Sequence, residues 1–355
     1  MEASSKGGAG KHWCRVHLSD LRRHAHIART RKDASSLGYR HRRKWRDRGS
    51  ELTFTDNSTS ESPKEPKRRR PTLAKSDREV HRHLLEGMTF ELIPLKSLDD
   101  QIRFVPTGST VSMTCSPNKT IEDTLDLCER LGNYGFSTIP HLAARMVEGE
   151  AHVDQILARI TGLGIRKVLF IGGDAEPHGP FTDAAAFLRS FLDRKPDIDV
   201  VGIGSYPDGH STIPDDALVA ALLEKQELIA AAGLEGYMST QMCFDHQKIG
   251  SWLADRRSAG VTLPCHLGVP GAVDRTRLLT ISMRLGIGTS ARYLKKNRTS
   301  VLRLLSPGGY NPNKLIAPLS KRATELGITG VHCFTFNAVD TTEDWRQKTL
   351  AGLEC

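Results

Sequence analysis

The chain has 355 residues, 38% of them hydrophobic and 26% charged, and a formal net charge of +9. That length and composition allow one large soluble domain or two smaller ones, and no run approaches the ~18 consecutive apolar residues that a membrane span needs. Seven cysteines, odd in number, scattered and without a CxxC pair, argue against a disulfide framework or a cysteine zinc site and point to reduced thiols in the cytoplasm.

The positive charge is local. Residues 1–87 hold 22 Lys/Arg against 11 Asp/Glu, which leaves the remainder close to neutral. A whole-chain argument for nucleic-acid binding therefore fails. Apolar residues in 1–87 are sparse and not periodic, so the segment is expected to be disordered. Its first twenty residues lack the apolar stretch of a secretory signal. It reads as a phosphate-touching basic arm, a targeting segment or, the reading favoured here, a dispensable extension upstream of Met88.

From Met88 onward, short β-branched runs alternate with amphipathic stretches. Strands are predicted at 88–93, 110–114, 137–141, 166–172, 199–204, 236–241, 262–267 and 329–335. Helices are predicted at 119–132, 150–162, 181–194, 214–232, 245–259, 272–285 and 312–326. In 214–232, Pro214 suits the first helical position, Asp215 and Asp216 suit the positive end of the dipole, and Gly233 follows as a terminator. Eight strands alternating with helices over 88–355 predict a (β/α)8 TIM barrel. No GxGxxG follows the first strand, which weakens the rival doubly wound dinucleotide fold.

In such a barrel chemistry gathers where strands end. The first strand offers Glu91, a carboxyl in an apolar run that needs a partner or a neutral form. The others offer Thr114, His141, Gly172, Gly173 and Asp174, Tyr206 and His210, Gln241 and Phe244, and Thr335 with Asn337. The two glycines let a ligand approach the backbone. His141, His210 and Asp174 make no recognisable metal-ligand set, so no metal is expected.

Six strand-end motifs, in order, are "FELIPLK", "IPHLAAR", "GGD", "YPDGH", "TQMCFD" and "HCFTFN". Together, over roughly 88–340, they resemble the methylenetetrahydrofolate reductases. The resemblance implies a (β/α)8 barrel that reduces 5,10-methylenetetrahydrofolate to 5-methyltetrahydrofolate with NADH or NADPH, within one-carbon metabolism and methionine biosynthesis. It implies Glu91 as the general acid that opens the imidazolidine ring. Phe90, Leu92 and Ile93 are expected to supply apolar surroundings that keep that acid protonated. Asp174 matches a residue beside flavin and pterin, and Gln241 matches the pterin-binding amide. Phe244 is a candidate substrate-side position, although its place in the run reads more readily as core packing. Thr114, His141, Gly173, Tyr206 and His210 match the surroundings of FAD.

Three departures bear on FAD. Gly172 stands where many members have Arg. Leu228 and Ile229 stand where many have a Lys/Arg pair near the flavin phosphates. "YPDGHST" replaces a "YPEGHP"-like segment. FAD remains the expected relay, with direct hydride transfer from the nicotinamide as the alternative. The competing function is a folate-binding barrel without hydride transfer. A further alternative is a nucleic-acid-binding leader with a barrel attached. A monomer and a homo-oligomer are equally compatible with the sequence.

Overall fold

The computed structural model describes residues 77–115, 119–273 and 310–354. Eight parallel strands close into a barrel in sequential order: β1 Thr89–Leu92, β2 Thr110–Met113, β3 Ser137–Ala143, β4 Lys167–Ile171, β5 Val200–Ser205, β6 Glu235–Thr240, β7 Cys265–Pro270 and β8 Ile328–Phe334. β1 closes the ring by pairing Glu91 with Ser112 on one side and Phe334 on the other. The TIM barrel expected from the alternation is the observed fold.

The helices are α1 Asp77–Glu86, α2 Ile121–Asn133, α3 Glu150–Gly162, α4 Ala184–Asp193, α5 Asp215–Ala231, α6 His246–Ser258, α7 Asn313–Ser320, α8 Ala323–Leu326 and α9 Val339–Glu354. Their starts follow capping chemistry. Thr120 and Asp123 form a reciprocal capping box on α2. Asp183 caps α4 through the amides of Ala185 and Ala186, and Asp245 caps α6 through those of Gln247 and Lys248. Gly233 takes φ +70° just past α5, the left-handed conformation a helix terminator needs.

α1 corrects one expectation. The stretch assigned to a disordered extension, 1–87, ends in this helix, whose Leu84 and Leu85 are buried. Arg346 of α9 fastens it, donating from Nε to the Leu85 carbonyl (2.7 Å) and from Nη2 to that of Glu86 (3.3 Å). These are carbonyls that a helix end otherwise leaves unpaired. Residues 1–76 lie outside the described residues, as does most of the expected helix 272–285. The expected helix 312–326 is two helices, α7 and α8.

β7 starts three residues later than expected. Gln226 of α5 holds the preceding loop instead: its Oε1 accepts from the amides of Thr262 (2.7 Å) and Leu263 (3.2 Å). Arg257 of α6 completes that corner by donating to the carbonyls of Val261, Leu263 and Leu326.

Strand alternation divides the core in two. Phe90, Leu92, Val111, Met113, Val168, Phe170, Val201, Ile203, Leu267, Val269 and Val331 join helix residues such as Leu125, Ile156, Phe187 and Leu253 in one outer layer. A small separate cluster of Ile139, Leu169 and Tyr237 fills the barrel. Beside it, the rings of Tyr237 and His266 stack at 4.2 Å, and Lys167 Nζ lies 4.3 Å from the Tyr237 ring centre. Glycines make the room: a Cβ at Gly202 would strike the Tyr237 ring, and one at Gly330 would come within 2.8 Å of His266.

Burial first, then the Lys167 ammonium and His332, push the His266 imidazole down to about 3. The folded protein thus refuses a proton that unfolded histidine accepts near its ordinary value of about 6.5. The contribution of His266 to stability is complete above about pH 6.5 and is lost as pH falls from there toward about 3, with a slope of at most about 1.4 kcal/mol per pH unit. Urea unfolding followed from about pH 7 to about pH 4 should show this decline. His266→Gln should flatten it.

Candidate active site

Glu91 lies at the β1 end of the barrel interior, not among the residues flanking it in sequence. Phe90 and Leu92 point the other way, into the helix-facing layer, because successive strand residues alternate faces. Ile93 belongs to a third cluster with Val273, Phe336 and Ala338. The expected apolar surroundings are therefore corrected. The side chains that meet the Glu91 carboxyl are His332 and His141.

His332 Nε2 donates to Glu91 Oε2 at 2.8 Å, and His141 Nε2 lies 3.9 Å from the same oxygen. His141 Nε2 is also hydrogen-bonded to Ser112 Oγ at 2.6 Å. Glu91, His141 and His332 are 7%, 5% and 2% exposed. Such a buried carboxyl persists only with partners. The second nitrogen of His332, Nδ1, is buried and makes no hydrogen bond. A bare lone pair there costs less than an orphaned N–H, which fixes the tautomer that donates through Nε2. Burial, and then the nearby His332, hold the His141 imidazole well below its ordinary range, so it is neutral at pH 7.

The β1 backbone is held just as firmly. Thr335 Oγ1 donates to the Glu91 carbonyl at 2.6 Å. Asn337, at φ +52°, bridges Ile93 through both ends of its amide: Oδ1 accepts from the Ile93 N–H and Nδ2 donates to the Ile93 carbonyl, each at 2.9 Å. Asparagine is among the few side chains that tolerate that conformation. The chain leaving β8 thereby fixes the chain leaving β1.

A second group forms beyond β4 and β5. Asp174 is exposed in the loop after β4. Its charge, after burial, raises the Tyr206 phenol. Tyr206 meets His210 edge-on at 5.3 Å. Gly173 takes φ +84°, and a Cβ there would sit 3.2 Å from that of Ala143, so glycine is required on both counts. Asp208, inside "YPDGH", accepts from the Cys243 thiol (3.0 Å) and pairs with Lys248 (2.7 Å), which ties the loop after β5 to the loop and helix after β6.

The sequence-derived residues thus separate. Glu91 and His141 share the inner cluster, and Asp174, Tyr206 and His210 share the outer one. Gln241 is half-buried at the end of β6, its backbone N–H donating to the Ser205 carbonyl at 2.7 Å. Thr114 extends the β1–β2 pairing through its amide to the Leu92 carbonyl at 3.1 Å. Phe244 is 8% exposed and packs edge-on against Tyr310 at 5.3 Å. His332 and Ser112 were missed. Counting by twos back from Phe334, the register partner of Glu91, reaches His332. Ser112 is itself a register partner of Glu91.

The residues at the flavin-phosphate positions do not fit a pyrophosphate. Ile229 is 1% exposed and seated in the helix–barrel interface, where a Cβ on Gly236 would lie 3.0 Å from its Cγ2. Leu228 packs against the same outer core. Lys225, one turn earlier, is 8% exposed, and the acidic groups around it are Asp183 and Glu224. Gly172 carries no side chain. No charge-assisted donor stands at these positions.

Comparison with known proteins gives a family. The family model for methylenetetrahydrofolate reductase matches residues 95–273, half of the chain, while Glu91, His332 and Asn337 fall outside the matched span. Methylenetetrahydrofolate reductase 1 of Schizosaccharomyces pombe is 26% identical over 214 residues, which cover 58% of this chain and 34% of that protein. The chain therefore spans about a third of the length of that relative. Solved structures of similar shape include an uncharacterized protein from Clostridium thermocellum that binds two copies of 5-methyl-5,6,7,8-tetrahydrofolic acid, with TM-score 0.49 and 12% identity, covering 75% of this chain and 98% of that one. Another is oxaloacetate acetylhydrolase, with TM-score 0.42 and 11% identity, covering 79% and 87%. At such scores these likenesses leave the assignment to the family match.

Removing the Asn337 amide should loosen the site from behind. Asn337→Ala strands the buried N–H of Ile93, whose carbonyl keeps the Leu95 N–H at 2.7 Å, a cost of about 1–3 kcal/mol at the usual penalty for one unpaired group. Chemical denaturation should register that loss. Asn337→Asp, which keeps the acceptor and loses the donor, should fall between wild type and alanine.

Proposed function

Because the chain belongs to the methylenetetrahydrofolate reductase family, we propose that its barrel reduces 5,10-methylenetetrahydrofolate to 5-methyltetrahydrofolate with NAD(P)H. The observation that carries this reading is Glu91: a buried carboxyl at the barrel mouth, engaged at Oε2 by His332 and backed by Ser112 and His141.

The chemistry asks for such a group. The five-membered ring of the substrate opens only when its departing nitrogen takes a proton, and opening leaves an electrophilic iminium on the one-carbon unit. A hydride added to that carbon makes the methyl group. One proton from the acid and one hydride from the nicotinamide balance the reduction. Glu91 is the donor, and a positioned acid contributes typically 10²–10⁴ in rate. The His332 hydrogen bond fixes its rotamer, and the Thr335 and Asn337 bonds fix its backbone, so little reorganisation remains at the moment of transfer.

Gln241 and Asp174 are the proposed pterin contacts. A side-chain amide donates and accepts at once, as a pterin edge requires. Phe244, packed edge-on against Tyr310, is a further candidate on the substrate side. We favour direct transfer of hydride from nicotinamide to folate, because Gly172, Leu228 and Ile229 supply no cation for a flavin pyrophosphate. Thr114, His141, Tyr206 and His210 then border the nicotinamide–folate space instead of a flavin.

Two measurements test this reading. NADH or NADPH oxidation dependent on methylenetetrahydrofolate should be present in the wild type and fall about 10²–10⁴-fold in Glu91→Gln, with folate still bound. A folate-binding barrel without reductase activity would bind the folate and oxidise no nicotinamide. The purified protein should show no flavin absorbance near about 450 nm, and added FAD should not raise its rate. A stoichiometric flavin band would restore the flavin relay.

A further inference from the structure

We propose that Glu91, His141 and His332 form a binding site for one divalent transition-metal ion of the zinc class. Each residue offers one ligand atom, and the three atoms lie within 4.8 Å of one another. Glu91 Oε2 is 2.8 Å from His332 Nε2 and 3.9 Å from His141 Nε2. Around a tetrahedral ion with bonds of about 2.0–2.2 Å, neighbouring ligand atoms stand roughly 3.3–3.6 Å apart, so these two separations bracket what coordination needs. Small side-chain rotations reach it without moving the backbone. That backbone is rigid, because the three residues sit on β1, β3 and β8 of a closed barrel.

The donor set selects the ion. Two imidazole nitrogens and one carboxylate suit zinc, cobalt(II) and nickel(II), whereas magnesium and calcium require oxygen ligands. His141 is neutral at pH 7, as a ligand must be. With three protein ligands, the fourth position of a tetrahedral ion is left for water. Coordination takes His332 from its bond to Glu91, with the ring proton passing from Nε2 to Nδ1, and takes His141 from its bond to Ser112. A ligating histidine usually donates its other N–H to a protein acceptor, and His332 Nδ1 has none. The site is therefore an exchangeable one of micromolar strength, weaker than a structural zinc site.

Occupancy and the acid role of Glu91 exclude each other, since a carboxyl that ligates a cation carries no proton to give. The ion then inhibits the reductase by removing its acid, which lowers kcat. Only this last consequence rests on the proposed function.

The test uses the full chain, stripped of metal with a chelator. Cobalt(II) titration followed by visible absorption should show one equivalent bound with oxygen and nitrogen ligands. Zinc competition against a chromogenic chelator should give a micromolar constant. His332→Ala and His141→Ala should each weaken zinc binding by about a hundredfold or more, with circular dichroism confirming the fold. Glu91→Gln, nearly isosteric, should weaken it also and guards against loss of fold in the alanine variants. Wild-type affinity in all three variants, or a thiolate-to-cobalt charge-transfer band, overturns the proposal. Zinc should lower the apparent kcat, and chelator should reverse the effect. Metal binding without reductase activity would overturn the proposed function alone. Activity without metal binding would overturn the metal site alone.

Discussion

A carboxyl group inside a closed β-barrel cannot be left to itself. Water solvates an anion far better than a protein interior does, so a buried carboxylate is either neutralised or given donors. The site follows from how this chain meets that requirement at Glu91. His332 is the donor, and because its other nitrogen has no partner, its tautomer is fixed. Ser112 engages His141 and keeps a second ring close at hand. The β8 terminus, through Thr335 and Asn337, stops β1 from drifting. Each bond is ordinary alone. Together they hold the backbone of one side chain in place and keep its partners close.

The barrel supplies the precision. Eight parallel strands in a closed ring remove sheet edges and leave each inward side chain one direction to face. Small residues decide what fits inside. Gly202 and Gly330 admit the stacked rings of Tyr237 and His266. Gly268 at the mouth has backbone on one side and the Phe334 ring 2.9 Å from where a Cβ would stand. The interior is thus crowded below and polar above, which suits a site that binds at the strand ends and does not pass material through.

Much of this could be read from the residues. Period-2 runs separated by amphipathic segments gave eight strands and the barrel, and strand-end polarity pointed to Glu91, His141, Asp174 and Gln241. What failed has physical causes. The neighbours of Glu91 in sequence are apolar, but a strand sends adjacent side chains to opposite faces, so they are not its neighbours in space. His332 lies two residues before the end of β8, and its role depends on a pairing with a residue 241 positions away in the sequence. α1 was submerged in the charge of the segment before it, although Leu84 and Leu85 were apolar signals. β7 was placed early because Thr262 and Leu263 look strand-like, whereas Gln226 of a different helix claims their amides. A side chain from another element can override local preference, and one sequence read by itself does not show it.

The Asp208 junction carries a consequence for motion. One carboxylate, held by a thiol on one side and an ammonium on the other, joins two connecting segments that would otherwise fluctuate independently. Loops linked in this way lose conformational freedom jointly, so a molecule that settles against either segment immobilises both for a single entropic penalty. Amide exchange in the turns after the fifth and sixth strands would then slow in concert on ligand binding, as one cooperative unit.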